Sequence, residues 1–247
     1  LYLSQEDKKI KLKKLAEATS KRIDNGDDLF DVIDFVDEQM KAISDIRGSD
    51  IPDIKKQLKV LHDDIQRRMN SDDMIGLPTG FQSVDKFTGG WQETDLVIIG
   101  AASSMGKTSL ALNLAYNAVE KANCPALIFS YEMSVNQLLT RLVSLESEIP
   151  IRWIQNGRLG TEDLLRIQQT ASSIKEKSIY IDECKRTSLN YLLSKTRQYV
   201  HSCSVKLVFV DYLQLVTASS GAKGTREQEV SKVARPLKNL AKELNIT

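Results

Sequence analysis

Apolar residues follow two patterns along this chain, short continuous runs and helical stripes. Runs of strand length occupy residues 96–99, 126–130, 178–181 and 206–210. Stretches with helical spacing follow at residues 107–119, 135–146, 161–176, 187–202 and 227–244. Strands that alternate with helices are typical of an α/β domain. The pattern therefore predicts a mostly parallel sheet with helices on both of its faces.

Two helices are predicted ahead of this domain, at residues 5–23 and 29–43, and Gly26 marks the turn between them. Their predicted apolar faces are Leu12, Leu15, Ala16, Thr19 and Ile23 in the first helix and Leu29, Ile33, Val36, Met40 and Ile43 in the second. We predict a helical hairpin with one basic and one acidic helix. The lysine run that opens the first helix is either a solvated face beside its acidic neighbour or a DNA-binding patch, and the solvated face is favoured.

A third amphipathic helix is predicted after a linker at residues 47–50. Pro52 suits the first helical position, and the residues that follow form an apolar stripe. The stripe consists of Ile54, Leu58, Leu61 and Ile65. Such a helix has to dock on its own domain or on a neighbouring subunit, and its periodicity leaves both possibilities open.

Charge and cysteine usage narrow the class of protein. The 247 residues carry 34 basic and 33 acidic side chains, so any contact with a nucleic acid must come from a local patch. Cys124, Cys184 and Cys203 are far apart and lack metal-ligand spacing, which is typical of reduced thiols. The sequence shows neither an apolar run of membrane-spanning length nor a signal peptide, so we expect a soluble, cytoplasmic protein.

Residues 95–119 carry the main candidate chemistry and read DLVIIGAASSMGKTSLALNLAYNAV. A strand, a tight loop and a helix in this order predict a phosphate-binding loop, because N–H groups at a helix N-terminus attract phosphates. Lys107 is expected to reach the β- and γ-phosphates of ATP, and the Thr108 hydroxyl is expected to bind Mg²⁺. The candidate nucleotide-binding residues are Ser103, Ser104, Met105, Gly106, Lys107, Thr108 and Ser109. Ala101 replaces the usual first glycine, so an ordinary helix start in a plain α/β domain is the alternative.

Carboxylates end three of the predicted strands, where α/β proteins bind their ligands. Asp211 is expected to hold Mg²⁺, usually through water. Glu132 can orient the attacking water and accept its proton. The alternative for each is a strand-end acid that caps the next helix, and for Asp182 this structural role is favoured.

A segment rich in Gly, Ser and Ala, residues 217–225, follows Asp211. Lys223 and Arg226 suit a polyanionic partner whose binding depends on the nucleotide state, but a solvated surface loop would also explain them. Pro236 lies inside the last predicted helix and should kink it or remove a hydrogen bond.

Taken together, these residues resemble the DnaB-type replicative helicases, which are hexameric motors with a RecA fold. The matching segments are GLPTGF at residues 76–81, SMGKT at 104–108, SYEM at 130–133, DYLQL at 211–215, REQEV at 226–230 and AKELN at 241–245. The family also tolerates alanine at the position of Ala101.

The resemblance implies a domain organisation. Residues 1–46 are expected to be the C-terminal part of a helical N-terminal domain, namely its helical hairpin. Residues 47–75 correspond to a linker whose helix docks on the adjacent subunit, and residues 76–247 to a RecA-like P-loop ATPase motor domain. This motor domain is expected to be truncated before its next core strand, its main DNA loop and its trans-acting arginine. The isolated chain should then bind nucleotide but unwind DNA poorly.

The resemblance also implies a function. ATP hydrolysis with Mg²⁺ would drive a homo-hexamer 5′ to 3′ along single-stranded DNA, with a primase and a helicase loader as partners. Lys107 and Glu132 would be catalytic, Thr108 and Asp211 would bind the metal, and Lys223 and Arg226 would face the ring channel. The alternatives are a RecA-like recombinase, a ring-forming regulatory ATPase and a non-catalytic assembly module.

Overall fold

The computed structural model describes residues 5–28, 31–33, 35–36, 39–40, 54–69, 76–102, 104–216 and 226–247. The chain divides into two compact units, Leu1–Asp72 and Asp73–Thr247. Among the described residues, no helix is both long and apolar enough to cross a lipid bilayer. The predicted linker at residues 47–50 and the predicted polyanion-binding loop at 217–225 lie outside the described residues.

In the described part of the first unit, α1 (Gln5–Asp24) and α2 (Ile54–Met69) are α-helices. Residues 31–33, 35–36 and 39–40, which belong to the predicted second helix, are also helical. The Arg22 guanidinium of α1 lies 4.2 Å from the centre of the Phe35 ring. A cation on an aromatic face is attractive and links α1 to this second helical segment.

The apolar faces of this unit differ in part from those predicted. Leu15 is buried as expected, but Ile23 of the same predicted face is exposed. In the next helical segment Val32 is buried while Ile33 is exposed, so the predicted seam through Ile33 is wrong there by one residue. The stripe on α2 is exposed throughout, at Ile54, Leu58, Leu61 and Ile65. The hairpin and the docking linker helix stay predictions.

The second unit alternates strands and helices as the sequence predicts. Its elements are α3 (Gln82–Thr88), α4 (Lys107–Ala122), β1 (Ala126–Ser130), α5 (Val135–Ser147), α6 (Ile151–Asn156), α7 (Thr161–Glu176), β2 (Ile179–Glu183), α8 (Leu189–Cys203), β3 (Leu207–Asp211) and α9 (Arg226–Leu244). A short 3₁₀ turn, Leu213–Leu215, follows β3. Helix α9 is continuous through Pro236.

The three strands form a parallel sheet in the order β2-β1-β3. Every residue of the central strand β1 is buried. On one face Ala126 and Ile128 pack with residues of α4 and α5, and on the other Leu127 and Phe129 pack with residues of α8 and α9. The predicted α/β fold, with helices on both faces of a parallel sheet, is confirmed.

Residues 96–99 do not form the strand that their apolar run predicts. The end of the chain lies between this segment and β3. On one side the Thr247 N–H donates to the Lys206 carbonyl, and the Val208 N–H donates to the Thr247 carbonyl. On the other side the Thr94 N–H donates to the Ile246 carbonyl. Residues 246–247 thus lie along the first part of the β3 edge, at Lys206 and Val208.

A cavity separates the rest of β3 from residues 95–101. Its volume is about 270 Å³, and residues 95–101 line one side while β3 lines the other. Adjacent strands must lie about 4.8 Å apart to form hydrogen bonds, so the segment cannot pair across the cavity. Val97 and Ile98 consequently remain 44% and 66% exposed.

Helix α9 and the residues after it hold the segment that leads into the phosphate loop. Lys238 Nζ donates to the Thr94 carbonyl at 2.8 Å and to Asp95 Oδ1 at 3.0 Å. Thr247 Oγ1 donates to the Gln92 carbonyl at 2.7 Å. Residues 92–95 are therefore positioned by side chains from the end of the chain.

Candidate active site

The loop before α4 has the backbone form that a phosphate site requires. Gly106 adopts φ +86° and immediately precedes the helix, whose N-terminus has no side-chain cap. An added Cβ at Gly106 would meet no atom within 4 Å, so its backbone conformation alone favours glycine. The first N–H groups of α4 remain without a capping side chain, which suits an anion.

Ala101 stands where the usual phosphate-loop motif has its first glycine. Ala101 is not among the described residues with positive φ, so its position does not need glycine. The Lys107 ammonium donates a hydrogen bond of 3.0 Å to the Ala101 carbonyl. The lysine side chain therefore folds back across the loop, and its exposed ammonium can exchange this carbonyl for a phosphate oxygen.

Thr108 and Asp211 meet at the carboxyl end of the sheet. Thr108 Oγ1 donates a hydrogen bond of 2.6 Å to Asp211 Oδ2, and Asp211 is only 8% exposed. A hydroxyl and a carboxylate are oxygen ligands of the kind that Mg²⁺ prefers. The donor set therefore fits the metal that the sequence predicts at these residues.

Glu132 lies just beyond β1, at the same edge of the sheet. The Ser130 hydroxyl donates to the Met133 carbonyl at 2.7 Å and accepts from the Met133 N–H at 3.1 Å, which closes a tight turn around Glu132. Ser130 pairs in register with Asp211, and the Tyr131 N–H donates to the Asp211 carbonyl at 2.9 Å. The exposed Glu132 carboxylate thus extends from the strand end next to Asp211.

Asp182 makes different contacts. Its carboxylate accepts hydrogen bonds from the Tyr199 hydroxyl at 3.3 Å and from Cys184 Sγ at 3.9 Å. Burial is the main cause that raises the pKa of Tyr199 to about 12 and that of the Cys184 thiol to about 12. These contacts support the structural role favoured for Asp182.

Two further polar residues near the site have no signature that we recognised in the sequence. Glu183 Oε2 accepts from the Val135 N–H at 3.1 Å and so caps α5. It comes next to Asp182, two residues after the end of the strand predicted at 178–181, and the strand-end rule could have identified it. Arg141 Nη1 donates to Ser109 Oγ at 3.2 Å, and no local pattern distinguishes this arginine from others on helices.

The GLPTGF segment, residues 76–81, packs beside α4. The Asp85 carboxylate accepts from the N–H groups of Thr79 at 2.8 Å and Gly80 at 3.2 Å. Asn117 Nδ2 of α4 donates to the Thr79 carbonyl at 3.0 Å. These bonds fix the segment against the helix that begins at the phosphate loop.

Some predicted site residues cannot be placed. Ser103 and Lys223 lie outside the described residues, and Arg226 begins α9 without a described side chain. Ser104, Met105 and Gly106 lie in the loop, and Lys107, Thr108 and Ser109 form the first turn of α4. The predicted roles of Lys223 and Arg226 toward DNA stay predictions.

Comparison with known proteins identifies the family. Residues 76–247 match the family model described as the DnaB-like helicase C-terminal domain. The replicative DNA helicase DnaB of Geobacillus stearothermophilus is 35% identical over 222 residues, which are 89% of this chain and 49% of that protein. The replicative DNA helicase DnaC of Bacillus subtilis is 34% identical over 221 residues, 87% of this chain and 49% of that protein. The chain thus spans about half the length of these curated relatives.

Solved structures agree with this assignment. One solved ATPase domain superposes with a TM-score of 0.71 at 29% identity, covering 80% of this chain and 69% of that one. A DnaB-like replicative helicase, whose structure was described together with its interactions with primase, gives a TM-score of 0.75 at 25% identity. That match covers 98% of this chain and 56% of the other. The matches confirm the predicted resemblance over the recombinase and regulatory alternatives. The chain belongs to the family of DnaB-like helicases, whose C-terminal domain its residues 76–247 match.

Proposed function

We propose that this chain is the ATP-hydrolysing part of a replicative DNA helicase. ATP hydrolysis with Mg²⁺ would drive its translocation 5′ to 3′ along single-stranded DNA in the cytoplasm and separate the duplex at the replication fork. The observation that carries the ATPase proposal is the contact between Thr108 and Asp211. It brings the phosphate-loop helix and a strand-end carboxylate together, as phosphoryl-transfer enzymes require.

Each residue has a defined task in hydrolysis. The first N–H groups of α4 would bind phosphate oxygens, and Lys107 would exchange the Ala101 carbonyl for the β- and γ-phosphates. Thr108 and Asp211 are the residues that would hold Mg²⁺. When bound, Mg²⁺ would screen the negative charge of the phosphates.

Glu132 would act on the attacking water. The water oxygen forms a bond to the γ-phosphorus while the bond from that phosphorus to the β-phosphate oxygen breaks, and the proton leaves to the Glu132 carboxylate. Its place beyond the Ser130 turn supports this task, because the turn holds it at the strand end beside Asp211. General-base catalysis of this kind contributes about 10²- to 10⁴-fold to the rate.

The assembly is also a proposal. A homo-hexamer formed through the linker helix and the motor domain would surround single-stranded DNA, with Lys223 and Arg226 facing the strand. The exposed stripe on α2 supports a docking role for that helix. A related helicase has been studied with primase, and we extend a primase partner, together with a helicase loader, to this protein.

ATP hydrolysis by the protein in its full natural length, with and without single-stranded DNA, tests this proposal. Lys107→Ala should abolish nucleotide binding, whereas Glu132→Gln should bind ATP normally but hydrolyse it about 10²- to 10⁴-fold more slowly. Lys175→Ala, on the exposed side of α7, is the control and should leave both properties unchanged.

DNA should stimulate the parent protein, and a forked substrate with a free 5′ tail should be unwound. A rate of ATP hydrolysis that does not change when DNA is added would contradict the proposed DNA motor and favour a regulatory ATPase. Unwinding only from a 3′ tail would contradict the proposed direction.

A further inference from the structure

Arg141 lies on α5, the helix that follows Glu132. Leu138 and Leu142 of this helix are fully buried and belong to the same core cluster as Leu112 of α4. Residues three apart on a helix share a face, so Arg141, three residues after Leu138, lies on the side of α5 that packs toward α4.

The contact that Arg141 makes is unusual for a structural arginine. Its Nη1 donates to Ser109 Oγ at 3.2 Å, and its buried Nε has no hydrogen-bond partner. In the described part of the chain, no carboxylate lies within ion-pair distance of this guanidinium. A guanidinium is always charged, and leaving one of its buried N–H groups without an acceptor is unfavourable, so fold stability alone does not explain the position of this side chain.

Ser109 connects this arginine to the metal-binding side of the site. It follows Thr108, whose hydroxyl is bound to Asp211, in the first turn of α4. Asn113 Nδ2 donates to the Ser109 carbonyl at 2.8 Å and fixes the same turn from within the helix. A shift of Ser109 would therefore shift Thr108 as well.

The N-terminal end of α5 lies next to the proposed general base in the chain. Ser134 caps the helix through a reciprocal pair of hydrogen bonds with Gln137, and the Val135 N–H is held by Glu183. Glu132 is two residues before this cap. Helix α5 is thus anchored at its start near Glu132 and, at its midpoint, to the phosphate-loop helix through Arg141.

We propose that Arg141, acting through Ser109, is a positioning residue that sets the distance between Glu132 and the phosphates bound on α4. This inference rests on the hydrolysis proposed above. Arg141 would bring the helix that follows Glu132 into register with the helix that carries Thr108. A misplacement of about 1 Å in such an arrangement can cost about 10²-fold in rate.

The test measures kcat for ATP hydrolysis, the Kd of ATP and the Tm for a set of variants of the full-length protein. Arg141→Met should lower kcat about 10- to 100-fold while the Kd of ATP changes less than about twofold, because positioning affects the chemical step. Ser109→Ala should lower kcat in the same way. The double variant should be no slower than Arg141→Met alone, because both substitutions remove the same interaction.

Arg141→Lys should recover part of the rate, since it keeps the charge and a donor. Arg166→Met, an exposed arginine on α7, is the matched control.

The outcomes separate this inference from the proposed function. A parent protein without ATPase activity would overturn the proposed function and the inference with it. An active parent whose kcat is unchanged in Arg141→Met, even if its Tm falls, would overturn the inference alone. A higher Kd of ATP in Arg141→Met, together with full activity of Ser109→Ala, would also overturn the inference, because Arg141 would then bind the nucleotide directly.

Discussion

The hydroxyl of Thr108 donates a hydrogen bond of 2.6 Å to the carboxylate of Asp211, although the two residues are 103 positions apart in the chain. This bond joins the first turn of α4 to the end of β3 and places two candidate metal ligands side by side. The same carboxylate belongs to a residue whose carbonyl accepts from Tyr131, next to Glu132. Asp211 therefore connects the phosphate loop with the segment that carries the proposed general base.

Asp211→Asn should reduce ATP hydrolysis by about 100-fold or more and raise the Mg²⁺ concentration needed for half-maximal rate, because a neutral amide is a weaker ligand than a carboxylate. The amide oxygen can still accept from Thr108, so the fold should persist. Rates across a Mg²⁺ titration, with thermal melting alongside, measure both effects. Asp182→Asn, a carboxylate on β2 at the other side of β1, is the control and should retain hydrolysis. Parent-like hydrolysis by Asp211→Asn would refute the assigned role.

Gly80→Ala should destabilise the second unit by more than the roughly 1–2 kcal/mol that a left-handed backbone costs an L-residue, because its Cβ would also overlap a neighbouring side chain. Gly80 has φ +83°, and an added Cβ would overlap the side-chain amide of Asn117. Urea unfolding measures the change. Gly157→Ala is the control, since its φ is +65° but a Cβ there meets no atom within 4 Å.

The comparison separates strain from steric overlap. Gly157→Ala should cost only the backbone term, about 1–2 kcal/mol. Adding Asn117→Ala to Gly80→Ala should recover the steric part of its loss. Equal effects of the two glycine substitutions would mean that Asn117 moves aside freely.

Cys184 should make the protein less stable at high pH. Burial raises the pKa of its thiol from 9.0 to about 12 in the folded chain. The unfolded chain therefore loses this proton first, and the free energy of unfolding should fall as pH rises from about 9 to about 12. Urea unfolding at several pH values should show a steeper fall for the parent than for Cys184→Ser, which has no thiol to ionise. Parallel curves for the two proteins would contradict the raised pKa.

The same burial predicts slow alkylation of Cys184 in the folded protein, because only the thiolate is a good nucleophile. Unfolding in urea should accelerate its modification by iodoacetamide at about pH 8.5, near the ordinary pKa of a free thiol. A peptide map that follows Cys184 alone measures this rate. Equal rates in the folded and unfolded states would show that the thiol is neither buried nor held protonated.

Local pattern was sufficient for the parts of the fold that depend on neighbouring residues. The strand that ends at Asp211 and the helix that begins at Lys107 could be predicted, because apolar runs, small residues and helical spacing are local features. The meeting of Thr108 with Asp211 followed from a topological rule, since parallel strands end at the same edge of a sheet.

Pairing between distant segments could not be predicted in this way. Residues 96–99 have the composition of a strand, but a strand also needs a partner within hydrogen-bonding distance, and a cavity separates these residues from β3. Arg141 and Asn117 were missed for a related reason. Each is one polar residue on a helix, and its partner, Ser109 or Thr79, is defined only by packing.

The attachment of α9 to residues 94–95 has a mechanical consequence. The helix starts at Arg226, directly after the segment predicted to meet DNA, and at about 1.5 Å per residue it carries the chain about 18 Å from there to Lys238. Lys238 holds Thr94 and Asp95, a few residues before the phosphate loop. If a moving DNA strand pulled on the first turn of α9, the helix would transmit the displacement to residues 94–95, just before the phosphate loop. A displacement of these residues during hydrolysis would be transmitted along α9 in the opposite direction.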